Sequence, residues 1–181
     1  METKVTSRKR VHDGFLKVDE LTIELENGHK VTREVVVRHN AVAALVFDTK
    51  KREYILVKQF RPGPEEKIVE IVAGTMDVEG EKPEDCIKRE IEEEIGYKTD
   101  KLKLITWCYF SPGGLTEKIY IYYAEVSEKI SDGGGVDNEE ITLVFIAEDD
   151  LIDFPIHDSK SIIAIDWCLL EKAVEDGTLS T

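Results

Sequence analysis

The chain has 181 residues, of which 41% are hydrophobic and 34% charged, enough for one domain with a real core and a small appendage. Asp and Glu number 38 against 24 Lys and Arg, and a net charge of −14 argues against a life on nucleic acid or an anionic membrane surface. Nucleotides stay open, because carboxylates can bind anionic phosphates through divalent cations. In chain order, "FLKVDELTIELENGHKVTREVVVRH" (Phe15 to His39) alternates apolar and polar around Asn27-Gly28, a strong hairpin signal. Strands are expected at about Leu21 to Glu26 and Lys30 to Arg38. "AVAALVFD" (Ala41 to Asp48) is nearly all apolar and reads as a buried strand. "EYILVKQF" (Glu53 to Phe60) and the short "KIVEIVAG" (Lys67 to Gly74) continue the sheet.

A long helix follows. Pro83 suits its first turn, where no amide donor is needed, and Glu84 and Asp85 suit its positive end. Ile87, Ile91 and Ile95 give one apolar stripe, and Gly96 is a natural residue to stop it. Strands are expected again at Leu102 to Phe110, Lys118 to Val126 and Ile141 to Ala147, the last two separated by the glycine-rich loop "SDGGGVDNEE". The stretch Asp158 to Gly177 reads as a helix capped by Asp158 or Ser159. Its Ile162, Ile165 and Leu169, flanked by Ile163, Trp167, Leu170 and Val174, read as the face that packs on the sheet. The class is α+β, a mixed sheet with helices on it. Cys86, Cys108 and Cys168 form no CxxC pair, and the four histidines lack metal-ligand spacing, so neither zinc nor a disulfide framework is suggested. A reducing cytoplasm fits. The start "METKVTSRKR" has no apolar core of a signal peptide, and no run approaches the roughly 20 apolar residues that span a bilayer.

The long helix carries a local conflict in "REIEEEIG" (Arg89 to Gly96). Glu90 and Glu94 are four apart and repel by roughly 0.2–0.5 kcal/mol. They also sit near the helix C-terminus, where negative charge is disfavoured. Glu93 projects beside Glu90. Three carboxylates at the rim of a core suit a hard divalent cation, which removes the repulsion. The upstream loop "AGTMDVEGE" can offer a backbone carbonyl to the same cation, and Arg89 can hold carboxylates bidentately. Glu92 points away.

"GTMDVEGEKPEDCIKREIEEEIGY" (Gly74 to Tyr97) resembles the Nudix box, G-x5-E-x7-R-E-U-x-E-E-x-G-U, with U a bulky apolar residue. Glu81, Arg89, Glu90, Ile91, Glu93, Glu94, Gly96 and Tyr97 fall on its fixed positions. Gly74 lies seven residues before Glu81 where the pattern has six, a one-residue insertion around Asp77-Val78-Glu79. "SPGGLTE" (Ser111 to Glu117), with Pro112 16 residues after Gly96, is similar to a segment of the ADP-ribose and nucleoside-diphosphate-sugar pyrophosphatase branch. "GGGVDNEEI" resembles the loop of the GDP-mannose pyrophosphatase subgroup.

The resemblance implies the Nudix fold, a mixed sheet sandwiched between helices, with residues 1–40 an N-terminal antiparallel hairpin extension for dimerisation and 41–181 the hydrolase domain. It implies Mg²⁺-dependent hydrolysis of a nucleoside diphosphate linked to a sugar, with Mn²⁺ as a substitute. Glu90, Glu94 and the carbonyl of Ala73 would hold metal, with Glu93 the next carboxylate and Glu81 and Arg89 orienting them. A general base would come from the loop, Glu139 ahead of Asp137 and Glu140, with Glu139 also a metal ligand. Arg61 resembles an arginine that contacts phosphate; Glu70, Ser111 and Gly113 would line the substrate. A homodimer through the N-terminal strands is implied, without nucleic acid or membrane. ADP-ribose and GDP-mannose both stay open as the preferred substrate. The competing classes are a Nudix nucleotide sensor that does not cleave and an acidic Ca²⁺-binding protein. No helix-turn-helix supports the first, and no EF-hand loop the second.

Overall fold

The structure is a computed structural model that describes residues 2–135 and 140–179. It has two compact units, Met1–Asn40 with Cys108–Ile119, and Ala41–Trp107 with Tyr120–Thr181.

The first unit is built on an antiparallel sheet in the order β1-β2-β3: β1 Lys4–Asp13, β2 Lys17–Glu24 and β3 Lys30–Val37. The expected hairpin is β2–β3, but it ends at Glu24, and its loop is longer than two residues. The Leu25 amide donates to the His29 carbonyl at 2.8 Å, and the Asn27 side chain accepts from the His29 amide at 3.0 Å. Only Gly28 takes positive φ, so Asn27 serves by its side chain and not by its backbone. Strand β1 was not foreseen. Its ten residues are all exposed, so it carries no alternating apolar face to read. It is fixed instead by ladder bonds and by Arg8 and Arg10 on the buried Asp19; Arg10, foremost, holds that carboxyl below its usual range. The segment after Phe110 docks on β3, the Val36 amide donating to the Gly114 carbonyl at 2.8 Å.

The second unit holds a seven-stranded sheet in the order β10-β5-β4-β9-β8, with β6 on β5 and β7 on β4. The strands are β4 Ala41–Asp48, β5 Glu53–Arg61, β6 Glu66–Glu70, β7 Val72–Thr75, β8 Tyr97–Tyr109, β9 Lys118–Lys129 and β10 Thr142–Ala147. The one strand expected from Lys67 to Gly74 is two. Its chain leaves β5 at Glu70 and joins β4 at Val72, with Ile71 buried at the break. Helix α1 (Pro83–Ile95) begins at Pro83 and ends at Gly96, whose φ of 76° lets its amide reach the Glu92 carbonyl at 3.1 Å. Ile87, Ile91 and Ile95 are fully buried against Val42, Ala44 and Val46 of β4, each burial stabilising by about 1.5–3 kcal/mol.

Helix α2 (Ser159–Glu175) also packs against β4, where strand alternation turns Ala43 and Leu45 to the face opposite Val42 and Ala44. Asp158 caps it by accepting from the Ser161 amide. The expected packing stripe is corrected in part. The buried face is Lys160, Ser161, Ala164, Ile165 and Cys168, while Ile162, Ile163, Leu170 and Val174 are exposed. Two buried polar residues at the first turn rotate the inward face away from the most apolar one. A short 3₁₀ turn, Glu148–Asp153, precedes α2.

Candidate active site

Helix α1 places its acidic face around one cation. Arg89 donates from Nε to Glu81 Oε1 at 3.1 Å and from Nη2 to Glu81 Oε2 at 3.2 Å, a bidentate pair. Its Nη1 lies 2.8 Å from Glu90 Oε1 and 3.0 Å from Glu93 Oε2. Glu81 thus falls below the usual carboxylate range, and the guanidinium is held more firmly charged, chiefly by Glu81. Glu90 goes the other way. Burial raises it, partly offset by Arg89. Glu94, one turn on, is buried at 7% exposure. The one-residue insertion is absorbed in a turn, the Glu81 amide donating to the Val78 carbonyl at 3.2 Å, and Glu81 still meets Arg89.

Strand β7 supplies the facing wall. A Cβ on Gly74 would lie 2.0 Å from Glu90 Cδ and 2.3 Å from Oε1, so the carboxylate rests on bare backbone next to Ala73. Among the described residues no three His, Cys, Asp or Glu side chains converge as a complete metal site. The donor set still fits a hard divalent ion. Three carboxylates, Glu81, Glu90 and Glu93, are half-buried around one guanidinium, with Glu94 buried one turn on from Glu90, leaving negative charge in excess.

The glycine-rich loop is an anchor over its described part. Gly134 donates to the Glu94 carbonyl at 2.9 Å and Gly135 to the Glu93 carbonyl at 3.1 Å. The loop therefore satisfies carbonyls that a helix C-terminus leaves open. Gly133 has φ of 66°, and a Cβ there would come within 2.6 Å of the Glu94 carbonyl oxygen. Asp137 and Glu139 lie outside the described residues. Glu140 is exposed, 3.9 Å from Lys67 Nζ.

The structure also brings Arg61 and Glu70 together, Arg61 Nε donating to Glu70 Oε1 at 2.5 Å. Glu70 is buried and also accepts from Lys160, a partner the sequence reading missed. Ser111 and Gly113 belong to the first compact unit, where the Ser111 carbonyl accepts from Gly114 at 3.1 Å. A cavity of about 330 Å³ lies on the α2 side, walled by Tyr123, Trp167, Lys103 and Glu171 among others, and none of the box carboxylates lines it.

An acidic helix set against a sheet, with a glycine at the point of carboxylate contact, defines an α+β protein with a concentration of carboxylates at one edge of its core. Residues 37–180 match the model of the NUDIX domain. An ADP-ribose pyrophosphatase of Bacillus subtilis (strain 168) is 34% identical over 183 residues, covering 97% of each chain. A methanol dehydrogenase activator of Bacillus methanolicus is 33% identical over 182 residues, 96% of each. A GDP-mannose pyrophosphatase of Escherichia coli (strain K12) is 30% identical over 175 residues, 88% of this chain and 91% of that one. A solved structure titled an ADP compounds hydrolase matches with a TM-score of 0.80 at 19% identity, covering 99% of this chain and 98% of the other, a likeness of fold. The chain belongs to the Nudix family of hydrolases, with the mixed sheet flanked by helices that the sequence implied.

Proposed function

We propose that the chain is a Mg²⁺-dependent pyrophosphohydrolase that cleaves ADP-ribose or a related nucleoside diphosphate sugar to a nucleoside monophosphate and a sugar phosphate. The observation that carries this reading is the excess of half-buried carboxylate around Arg89, with Glu90 seated on Gly74. The names of the pyrophosphatase relatives support the substrate class.

Glu90, Glu94 and the Ala73 carbonyl are the proposed metal ligands, with Mn²⁺ as a substitute. The ion's chemistry is to neutralise the phosphates and acidify a bound water. Glu93 adds a further carboxylate. Arg89, fixed by its bidentate bond to Glu81, orients Glu90 and Glu93. Arg61 takes the substrate phosphate and Glu70 holds Arg61. The places of Ser111 and Gly113 beside the sugar rest on the resemblance of their segment alone. Glu139 is the proposed general base, with a share in the metal. In Glu139→Gln, kcat should fall far more than substrate affinity, by about 10²-fold or more. The same loss from Asp137→Asn or Glu140→Gln instead would move the role to that residue.

Residues 1–40 are the proposed dimerisation extension of a catalytic domain at 41–181. The wholly exposed β1 supports this, and a single-chain mass of 20.6 kDa in light scattering would count against it. No described helix is long and apolar enough to cross a membrane.

Phosphate-ester release with Mg²⁺ and with EDTA, across ADP-ribose, GDP-mannose, ADP-glucose, UDP-glucose and diadenosine polyphosphates, tests the function. The expected outcome is metal-dependent cleavage with preference for ADP-ribose. Preference for GDP-mannose would move the substrate within the same reading. Tight binding of one member without cleavage of any would make the chain a sensor.

A further inference from the structure

Lys160 is an expensive residue where it stands. It occupies the second position of α2, where the helix dipole disfavours a cation, and it is only 7% exposed. A buried ammonium is tolerated only when paired, and an apolar side chain of similar size is often no worse for stability. Lys160 is paired twice, with Asp158 Oδ1 at 2.9 Å and with Glu70 Oε2. Asp158 is itself fixed, its Oδ2 accepting from the Ser161 amide at 3.0 Å and from the Ser161 hydroxyl. That hydroxyl accepts from the Ile71 amide at 2.9 Å, at the break between β6 and β7. The first turn of α2 is thereby locked onto the strand end that carries Glu70.

The consequence falls on Arg61. The two oxygens of Glu70 go to two different cations, Oε1 to Arg61 Nε and Oε2 to Lys160. Glu70 therefore cannot grip Arg61 with both oxygens, the arrangement a carboxylate and a guanidinium otherwise favour. Among the described residues, Nη1 and Nη2 of Arg61 form no hydrogen bond, and the side chain is 40% exposed. An arginine tethered by Nε alone keeps its terminal pair of amino groups for another planar anion.

We propose that Lys160 is a positioning residue for substrate phosphate. By occupying Glu70 Oε2, it stops Glu70 from turning the Arg61 guanidinium inward, and so keeps the guanidinium's free edge ready for the pyrophosphate of a nucleoside diphosphate. This rests on the reading of Arg61 as the phosphate contact.

The test is a double-mutant cycle on ADP binding in Mg²⁺, measured by calorimetry, with the KM for ADP-ribose beside it. Lys160→Met should weaken ADP roughly tenfold, about the worth of one charge-assisted hydrogen bond, and raise KM alike while kcat moves less. Arg61→Ala should weaken ADP at least as much. In the Arg61→Ala background Lys160→Met should do nothing further, which a general loss of packing would not reproduce. Unchanged ADP affinity in Lys160→Met, or the same loss in both backgrounds, overturns the proposal. Should Lys160→Met lose its cooperative melt, Lys160→Leu, which also leaves Glu70 Oε2 without this donor, is read by the same criteria. Wild-type affinity in Arg61→Ala, or no ADP binding by the wild type, removes the Arg61 reading and the proposal together. ADP binding that follows the cycle without ADP-ribose cleavage sinks only the hydrolase reading.

Discussion

Glu94→Gln is expected to lower kcat by at least about 100-fold while leaving the fold intact. The substitution keeps volume and removes one charge. Glu94 is one of the buried residues of α1, as are Ile91 and Ile95. A carboxylate so placed, four residues from Glu90 and next to Glu93, works against the helix. Without metal, then, Glu94→Gln should be no less stable than the wild type, with a gain of roughly 0.2–0.5 kcal/mol from the lost repulsion. Melting in EDTA reads this. With Mg²⁺ the order should reverse, because the wild type gains binding energy that the variant forgoes. Wild-type turnover by Glu94→Gln at saturating Mg²⁺ would sink the ligand assignment. A large drop in melting temperature in EDTA would instead make Glu94 a structural residue.

Helix α1 was legible in the sequence because several independent signals agree on it. Pro83, the isoleucine stripe and Gly96 mark its start, face and end, and the structure begins and stops it there. Its acidic face was legible for the opposite reason. Local rules are violated by Glu90 and Glu94, and such violations gather at functional sites. Strand β1 gave no such signal, since a ribbon exposed along its whole length has no pattern to impose. The α2 face was misread because hydrophobicity alone was followed. Lys160 and Ser161 are buried for their hydrogen bonds, and those partners, Glu70 and Ile71, lie 90 residues away. The glycine loop shows the same limit. Its composition tells of freedom, whereas Gly134 and Gly135 use that freedom to cap α1, a contact only the assembled fold creates.

Gly74→Ala is the second large effect expected, and it separates catalysis from stability. Gly74 sits on β7 opposite Val42 of β4, outside the left-handed region, so alanine costs the backbone nothing. Its new Cβ would lie 2.0 Å from Glu90 Cδ and 2.4 Å from Cγ. Backbone on both sides is held by ladder and helix, whereas the Glu90 side chain is flexible. The side chain therefore moves, by more than about 1 Å, and a displacement of that size at a reacting centre costs about 100-fold in rate. The melting temperature should stay close to wild type, because the conflict is relieved at a side-chain end and no cavity forms. The Mg²⁺ concentration needed for half-maximal activity should rise as well. Gly63→Ala, where a Cβ meets nothing within 4 Å, serves as the control. Unfolded Gly74→Ala would mean that α1 and not Glu90 gives way. Full activity would mean that the seat of Glu90 on β7 has no part in the chemistry, and with it would go the reason for a glycine at the mouth of the loop.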